Sequence, residues 1–408
     1  MTIREQFSIP KRYNTWSFAL MGVGILSVIL LYITHGASSD AHESARFWAS
    51  LLQNSVYFLL VVNAAMFFIC ATTLAWGGWQ ISFRRVSEAI SASVPVIGVI
   101  SVVILLAILF SDNHTIYHWA DTEHVKHDAI LNHKKGFLNK GFFTVWTILT
   151  VVLWSLLGWK MRSLSRQSDA GKMSVEEGKK YMWTNTVWAA LYLVVFALTV
   201  MSTIPWLWLM SIDAHWYSTM YSWYTFASTF VAGMALITLF VVYLKNQGYL
   251  EYTNEEHLHD LGKFMFAFSV FWTYLWFSQY MLIWYANIPE ETKYFEPRVQ
   301  GPYKGLFFLN LIINFLSPLL ILMTRDSKRN YTIITFMAAL IIFGHWIDFF
   351  QMVHPAISGD HVPMMLYDFG IALGFVGLIM FLTARALAKS PLVPKNHPFF
   401  KESVIHHT

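Results

Sequence analysis

An all-α polytopic membrane protein with about ten transmembrane helices is the fold class this sequence predicts. Three observations carry that prediction. Hydrophobic residues make up 56% of the 408 positions while charged residues make up 13%, too few charges to clothe a soluble globule of this size. The apolar residues also fall into continuous runs of about 18 or more, the length a helix needs to cross about 30 Å of hydrocarbon. Finally, the cations between those runs are distributed asymmetrically.

The runs lie near residues 16–34, 53–76, 89–110, 141–159, 184–207, 219–243, 264–286, 305–323, 331–350 and 364–386. They are continuously apolar rather than alternating, which selects helices over a β-barrel, the other structure that satisfies every backbone group in lipid. The predicted organisation is a short N-terminal segment over 1–15, one membrane domain over 16–386 and a C-terminal tail over 387–408. Placing the N-terminus inside assigns twenty of the 28 Lys and Arg residues to inner segments, so both ends are expected in the cytoplasm. The main inner clusters are Lys11/Arg12, Arg84/Arg85, the cations from Lys160 to Lys180, and Arg325/Lys328/Arg329. The net charge of +4 is then topology signal and needs no nucleic acid to explain it.

The first apolar run is too long for the core of a cleaved signal peptide and reads as a retained helix. The one cysteine, Cys70, excludes an intrachain disulfide, a Cys-x-x-Cys-His haem attachment and an iron–sulfur cluster held by this chain alone. It reads as a small core residue. No Walker motif, no complete Gly-x-Gly-x-x-Gly and no His-Glu-x-x-His occurs. Only His345 falls well inside a predicted span, which argues against haem b held between two helices. The longest connection, 111–140, holds about 30 residues rich in His, Asp and Lys, and is expected to serve at most as a docking loop.

Ionisable groups placed in lipid carry the functional signal, because a charge at the bilayer centre costs roughly 3 kcal/mol or more. His345 and Asp348 are three apart and share a face of the ninth helix, Asp368 opens the tenth, and His354 is expected just beyond the ninth. With Asp213 and His215 in the outer connection as exit groups, they are candidates for the outer end of a proton path; desolvation and neighbouring charges tune both residue types toward that task. Gln279 and Tyr280 on the seventh helix, and Asn310 and Asn314 just before Pro318 on the eighth, are candidates for a polar cavity or quinol site. Asp260 and Lys263, with His257 and His259, crowd the inner start of the seventh helix as a proton entry or a solvated terminus. The plainer alternative for each set is interhelical hydrogen bonding and capping. Trp206, Trp208, Trp216 and Trp223 are expected in the interfacial aromatic belt.

Two strings are more distinctive than any single residue: IPWLWLMSIDAHWYSTMYSWY over Ile204–Tyr224 and QYMLIWYANIPEE over Gln279–Glu291. On them, the chain resembles the F subunits of bacterial alternative complex III, within the NrfD-like, polysulfide-reductase-type membrane proteins. The resemblance spans roughly residues 15–386 and rests on the run from Ser211 to Thr219, with Asp213, His215 and Trp216, and on Gln279, Tyr280, Trp284, Tyr285, Asn287, Pro289, Glu290 and Glu291. It implies two four-helix bundles with two peripheral helices, in the inner (cytoplasmic) membrane of a bacterium. It implies a subunit that carries no redox centre and is not catalytic alone. Its partners would be a quinol-oxidising paralogous membrane subunit, an iron–sulfur protein and multihaem cytochrome c subunits. Menaquinol or another quinol would act in the complex, bound phospholipids would surround the subunit, and proton half-channels would be its contribution. Two other readings stand beside this one: a quinol-binding anchor of a polysulfide-reductase-type enzyme, and a free-standing secondary transporter. The transporter reading is disfavoured because the prolines at 95, 205, 289, 318 and 355 sit mainly near helix ends rather than breaking helices at the midplane.

Overall fold

Side chains too large and apolar for water, in windows too long for a soluble core, dictate long helices. The computed structural model, which describes residues 5–358 and 366–407, consists of such helices joined by turns and by longer connections that carry short helices, as over 110–139. In chain order they are α1 (Lys11–Leu31), α2 (Ala41–Leu74), α3 (Arg84–Ser91), α4 (Val94–Leu109), α5 (Lys140–Gln167), α6 (Val175–Leu198), α7 (Met220–Asn246) and α8 (Glu255–Ala286). There follow α9 (Lys304–Ile321), α10 (Tyr331–Ser358), α11 (Leu366–Leu387) and the short α12 (Phe400–Val404). No strand occurs among the described residues.

Helices α2, α4, α5 and α6 form one four-helix bundle, and α7, α8, α9 and α10 form a second. Helix α2, buried along nearly its whole length, packs against α7 and α10 and joins the two. The remaining long helices, α1 and α11, pack on each other at the periphery. Small residues make that pairing close: a Cβ on Gly374 would lie 2.7 Å from the Gly24 Cα, and one on Gly370 would overlap the Ser27 hydroxyl. This is the arrangement the resemblance implies.

Among the described residues, nine helices or helical runs are both long and apolar enough to cross a membrane. The predicted span missing from that set is the seventh, 264–286, in α8, whose 32 residues owe much of their bulk to Trp, Tyr and Phe interspersed with Ser269, Thr273 and Gln279. It crosses nonetheless. Glu256 at its start pairs with Arg329, just past the end of α9, so α8 begins on the face where α9 ends. The chain must therefore traverse along α8 to reach the start of α9. The two chain ends also share a face: the Leu392 N–H donates to the Glu5 carbonyl at 2.8 Å, and Lys395 pairs with Glu5 at 2.5 Å. Only an even number of crossings permits that.

Several boundaries differ from the sequence reading. Helix α2 begins twelve residues before 53, because Asp40 caps it by accepting from the His42 N–H at 2.8 Å. Helix α10 runs on to Ser358, so His354 lies inside it, fully buried, rather than beyond it. Pro355 is tolerated there because the carbonyl it cannot serve, that of Gln351, accepts from Arg298 Nε at 3.0 Å. The turn before Pro318 widens into a π turn over Ile312–Leu316. The first two residues of the tenth predicted span, 364 and 365, lie outside the described residues.

Two other expectations are corrected. Arg84 and Arg85, expected as loop cations, lie in a helix. They begin α3 and are buried around Glu88, with Arg84 Nε at 2.9 Å and Arg85 Nη1 at 3.2 Å, while Arg85 also meets Asp169 at 2.8 Å. A guanidinium enclosed by protein requires such partners. Trp208 and Trp216 do not sit in an interfacial belt. Trp208 is fully buried and donates to Thr147 Oγ1 at 2.9 Å, and Trp216 stacks on Tyr294 with ring centroids 4.0 Å apart. Trp223 remains about half exposed. Cys70 is buried in α2.

Candidate functional site: a carboxylate held by four neutral donors

Asp348 lies on α10 where α7, α8 and α9 converge, and both it and His345 are fully buried. The helical register of α10 sets them on one face, and three facing helices supply the donors. From α7, Ser228 Oγ donates to Asp348 Oδ2 at 2.9 Å and the Tyr224 hydroxyl donates to Oδ1. From α8, Trp272 Nε1 donates to Oδ2 at 3.0 Å. From α9, Asn310 Nδ2 donates to Oδ1 at 2.8 Å, and its Oδ1 in turn accepts from Asn314 Nδ2 at 2.5 Å. An indole N–H and an amide N–H can only donate, so this shell is built for a group that accepts.

His345 joins the same centre. Its Nδ1 lies 2.9 Å from Ser228 Oγ and 3.8 Å from Asp348 Oδ2, so the serine hydroxyl bridges imidazole and carboxylate. The imidazole is held edge-on by Trp272, with centroids 5.3 Å apart at 82°. Its Nε2 is buried without a hydrogen-bond partner among the described residues. Close approach of α10 to α9 depends on Gly344, because a Cβ there would lie 2.1 Å from Asn314 Oδ1 and 2.4 Å from Ile313 Cγ2.

Toward the face opposite the chain ends, a cavity with about 20 Å³ of space for water centres is lined by Tyr224, Gln279, Arg298, Gln351 and their apolar neighbours. That is room for about one water. Gln279 therefore joins the site's outer side, whereas Tyr280 packs on Trp276, Phe295 and Phe307. Arg298 stacks over the Tyr294 ring at 3.6 Å and also donates to the Tyr294 carbonyl. In the other direction α10 presents only buried apolar side chains, Ile341, Ala338, Met337 and Ile334.

Asp368 belongs to a separate polar group. Its Oδ1 accepts from Ser50 Oγ at 2.5 Å and its Oδ2 lies 3.7 Å from Arg46 Nη2. His354 stacks on Phe350 with centroids 4.0 Å apart, and neither of its ring nitrogens has a hydrogen-bond partner among the described residues. Asp213 and His215 are not brought to Asp348. His215 Nε2 pairs with Asp128 Oδ2 at 2.6 Å near the surface, where the Leu131 backbone N–H, then His215, hold the Asp128 carboxyl below its usual range. At the other end of the molecule, Asp260 binds Lys263 at 2.5 Å and His406 at 2.7 Å. His257 Nε2 is 3.3 Å from Ser403 Oγ. These residues latch the C-terminal tail onto the start of α8.

Sequence reasoning missed Tyr224, Ser228 and Trp272. The signal that could have found the first two is in α7, where Tyr221, Thr225 and Ser228 recur at helical spacing with Tyr224 in an otherwise apolar run; nothing comparable marks Trp272 on α8. No group of three or more His, Cys, Asp or Glu side chains able to hold a metal occurs among the described residues. Comparison with known proteins found no matching family and no matching curated protein.

Proposed function

We propose that this chain is a membrane subunit of a quinol:acceptor oxidoreductase of the alternative complex III kind, and that the Asp348 centre moves protons within it. The observation that carries the reading is the Ser228 hydroxyl, placed to accept from His345 Nδ1 and donate to Asp348 Oδ2. A proton on Nδ1 passes to Ser228 Oγ as the serine proton passes to Oδ2, leaving neutral imidazole and a carboxylic acid. The cavity beside Tyr224, Gln351 and Arg298, with room for about one water, extends this line toward the face opposite the chain ends, while the apolar stretch from Ile341 to Ile334 ends it on the other side. That is the form of a half-channel rather than a through-pore. The redox centres belong to the partner subunits in this reading, and the membrane is the bacterial cytoplasmic membrane.

A quinol ring is far larger than the space beside Gln279, which supports a relay role over a quinol-binding anchor. The test is extraction from membranes in mild detergent and identification of what co-purifies. A multihaem cytochrome c, a large iron–sulfur protein and a second membrane subunit of this architecture are expected. A chain that purifies alone, and moves a solute across vesicles without any redox partner, would overturn the reading in favour of a transporter.

A further inference from the structure

On the face that carries the chain ends, the ends of α5 and α11 and the start of α3 enclose a cavity of about 400 Å³ lined by Arg85, Arg162, Arg166, Arg385 and Lys389 against the single carboxylate of Glu88. Arg85 is already committed to Glu88 and Asp169. The others are not: Arg162 Nη1 donates to Ser91 Oγ at 3.1 Å, Arg166 Nε to the Arg162 carbonyl at 3.3 Å, and Arg385 lies over the Phe381 ring at 5.0 Å. None of Arg162, Arg166, Arg385 and Lys389 has a carboxylate within ion-pair distance among the described residues. Glu88 and Asp169 offset Arg162 and Arg166 only from beyond ion-pair distance, so four cations around one cavity leave a positive field that favours entry of an anion.

The cavity has a second property that selects the anion. Trp159 lines its rim and is 57% exposed, and Leu156 and Val152 continue outward along the same face of α5 at 57% and 44% exposure. Leu382 of α11 lines the other side. A cationic pocket therefore opens directly onto an aliphatic surface that descends toward the middle of the membrane, with a tryptophan at the junction where indole rings favour the lipid–water boundary. A soluble anion would use the cations and leave the stripe bare. We infer that the cavity between α3, α5 and α11 is a binding site for an anionic glycerophospholipid, its phosphate held by Arg162, Arg166, Arg385 and Lys389 and its acyl chains lying along Trp159, Leu156 and Val152.

The site seats the lipid against α3, whose Arg84–Glu88–Arg85 cluster anchors it beneath α2. It also touches α11, the peripheral helix, so a bound lipid ties the outer pair α1/α11 to the first bundle. This role is independent of the proton relay.

The test uses the full chain in whatever complex it purifies with, delipidated in detergent and studied by native mass spectrometry with three additives: phosphatidylglycerol, the zwitterionic phosphatidylethanolamine, and inorganic phosphate. One tight phosphatidylglycerol adduct is expected, with weak phosphatidylethanolamine binding and no displacement by millimolar phosphate. The triple variant Arg162→Gln/Arg385→Gln/Lys389→Gln should lose about 100-fold in affinity, about fivefold per cation. Should that variant fail to fold, Lys389→Gln alone, exposed beyond the end of α11, should still lose about fivefold. A folded triple variant that keeps the adduct would overturn the proposal. So would inorganic phosphate binding as tightly as the lipid, which would make the cavity a free-anion site.

Discussion

Asp348→Asn and Ser228→Ala perturb one centre in different ways, and together they separate a relay from a structural hub. Asparagine matches the shape of aspartate but replaces one acceptor oxygen by an NH2 group. The four donors from Tyr224, Ser228, Trp272 and Asn310 then face one acceptor, and about two lose their partner. An orphaned donor costs about 1–3 kcal/mol in a soluble core and about 0.6–1.7 kcal/mol between helices in lipid. Asp348→Asn should therefore destabilise the second bundle by about 1–3 kcal/mol, visible as reduced yield. Ser228→Ala is milder. It leaves Asp348 three donors and costs about 1 kcal/mol or less, yet it removes the atom that lies 2.9 Å from both His345 Nδ1 and Asp348 Oδ2. The assay is complex yield, quinol-driven turnover and proton release in membranes for parent and both variants. A relay predicts that Ser228→Ala assembles at parental yield while coupled proton movement falls at least about tenfold. If Ser228→Ala couples like the parent and only Asp348→Asn lowers yield, the serine bridge carries no protons and the reasoning is refuted.

Three further outcomes are expected. A cysteine in the loop after α5, at residues 168–173, should be labelled only after the membrane is breached, and one at Asn287, beyond α8, should be labelled from outside; with Cys70 buried the background is silent, and the reverse pattern would invert the orientation. Gly374→Leu should separate α1 from α11, since even a Cβ meets the Gly24 Cα at 2.7 Å; cross-linking yield between cysteines on the two helices should drop severalfold, and an unchanged yield would refute the close packing. Tail docking should weaken in acid. His397 is 5% exposed and lies edge-on to Tyr181, and burial, followed by the charges of Arg84 and Arg85, pushes its pKa down to about 3. The docked tail cannot take the proton that a released one takes below about 6.5, so docking is fully present above that value and is lost progressively as pH falls toward about 3, by about 2 kcal/mol at pH 5. Protease release of the tail between pH 7 and pH 5 measures this, and an equally steep pH dependence in His397→Gln would refute it.

The sequence made the spans legible because length and apolarity suffice to call them, and it singled out His345 and Asp348 because ionisable residues in lipid are rare. What surrounds them was not legible. Ser228 is an ordinary polar residue for a membrane helix, and its role appears only when α7 packs on α10, 120 residues away in sequence. Trp272 reads as bulk until its N–H is seen to reach a carboxylate. Pro355 ends a helix by the usual rule, and the exception depends on a guanidinium from the loop ahead of α9, which no local pattern reveals. Charge counts separate the loops of one face from those of the other but cannot tell a solvated arginine from a buried one, so in sequence Arg84 and Arg85 carry topology signal alone.

Two buried carboxylates at different depths now invite comparison, because their partners differ in kind. Asp368 has a permanent cation, Arg46, at 3.7 Å, a partner whose own charge does not exchange. Asp348 has four neutral donors, and the nearest group able to carry a positive charge is His345 at 3.8 Å. Its charge is balanced only while that imidazole carries a proton. Passing the proton through Ser228 converts an ion pair into a neutral pair without moving a heavy atom, and the reverse step restores it. A site that must change its protonation needs this kind of partner, one whose own charge is exchangeable, whereas a site that only holds helices together is served better by arginine. The directional test is to exchange the arrangements: His345→Lys, a replacement of similar volume, places an ammonium beside Asp348 and should assemble while abolishing coupled proton movement. A His345→Lys variant that assembles and still couples would show that Asp348 works without an exchangeable partner, and the distinction drawn between the two carboxylates would fall.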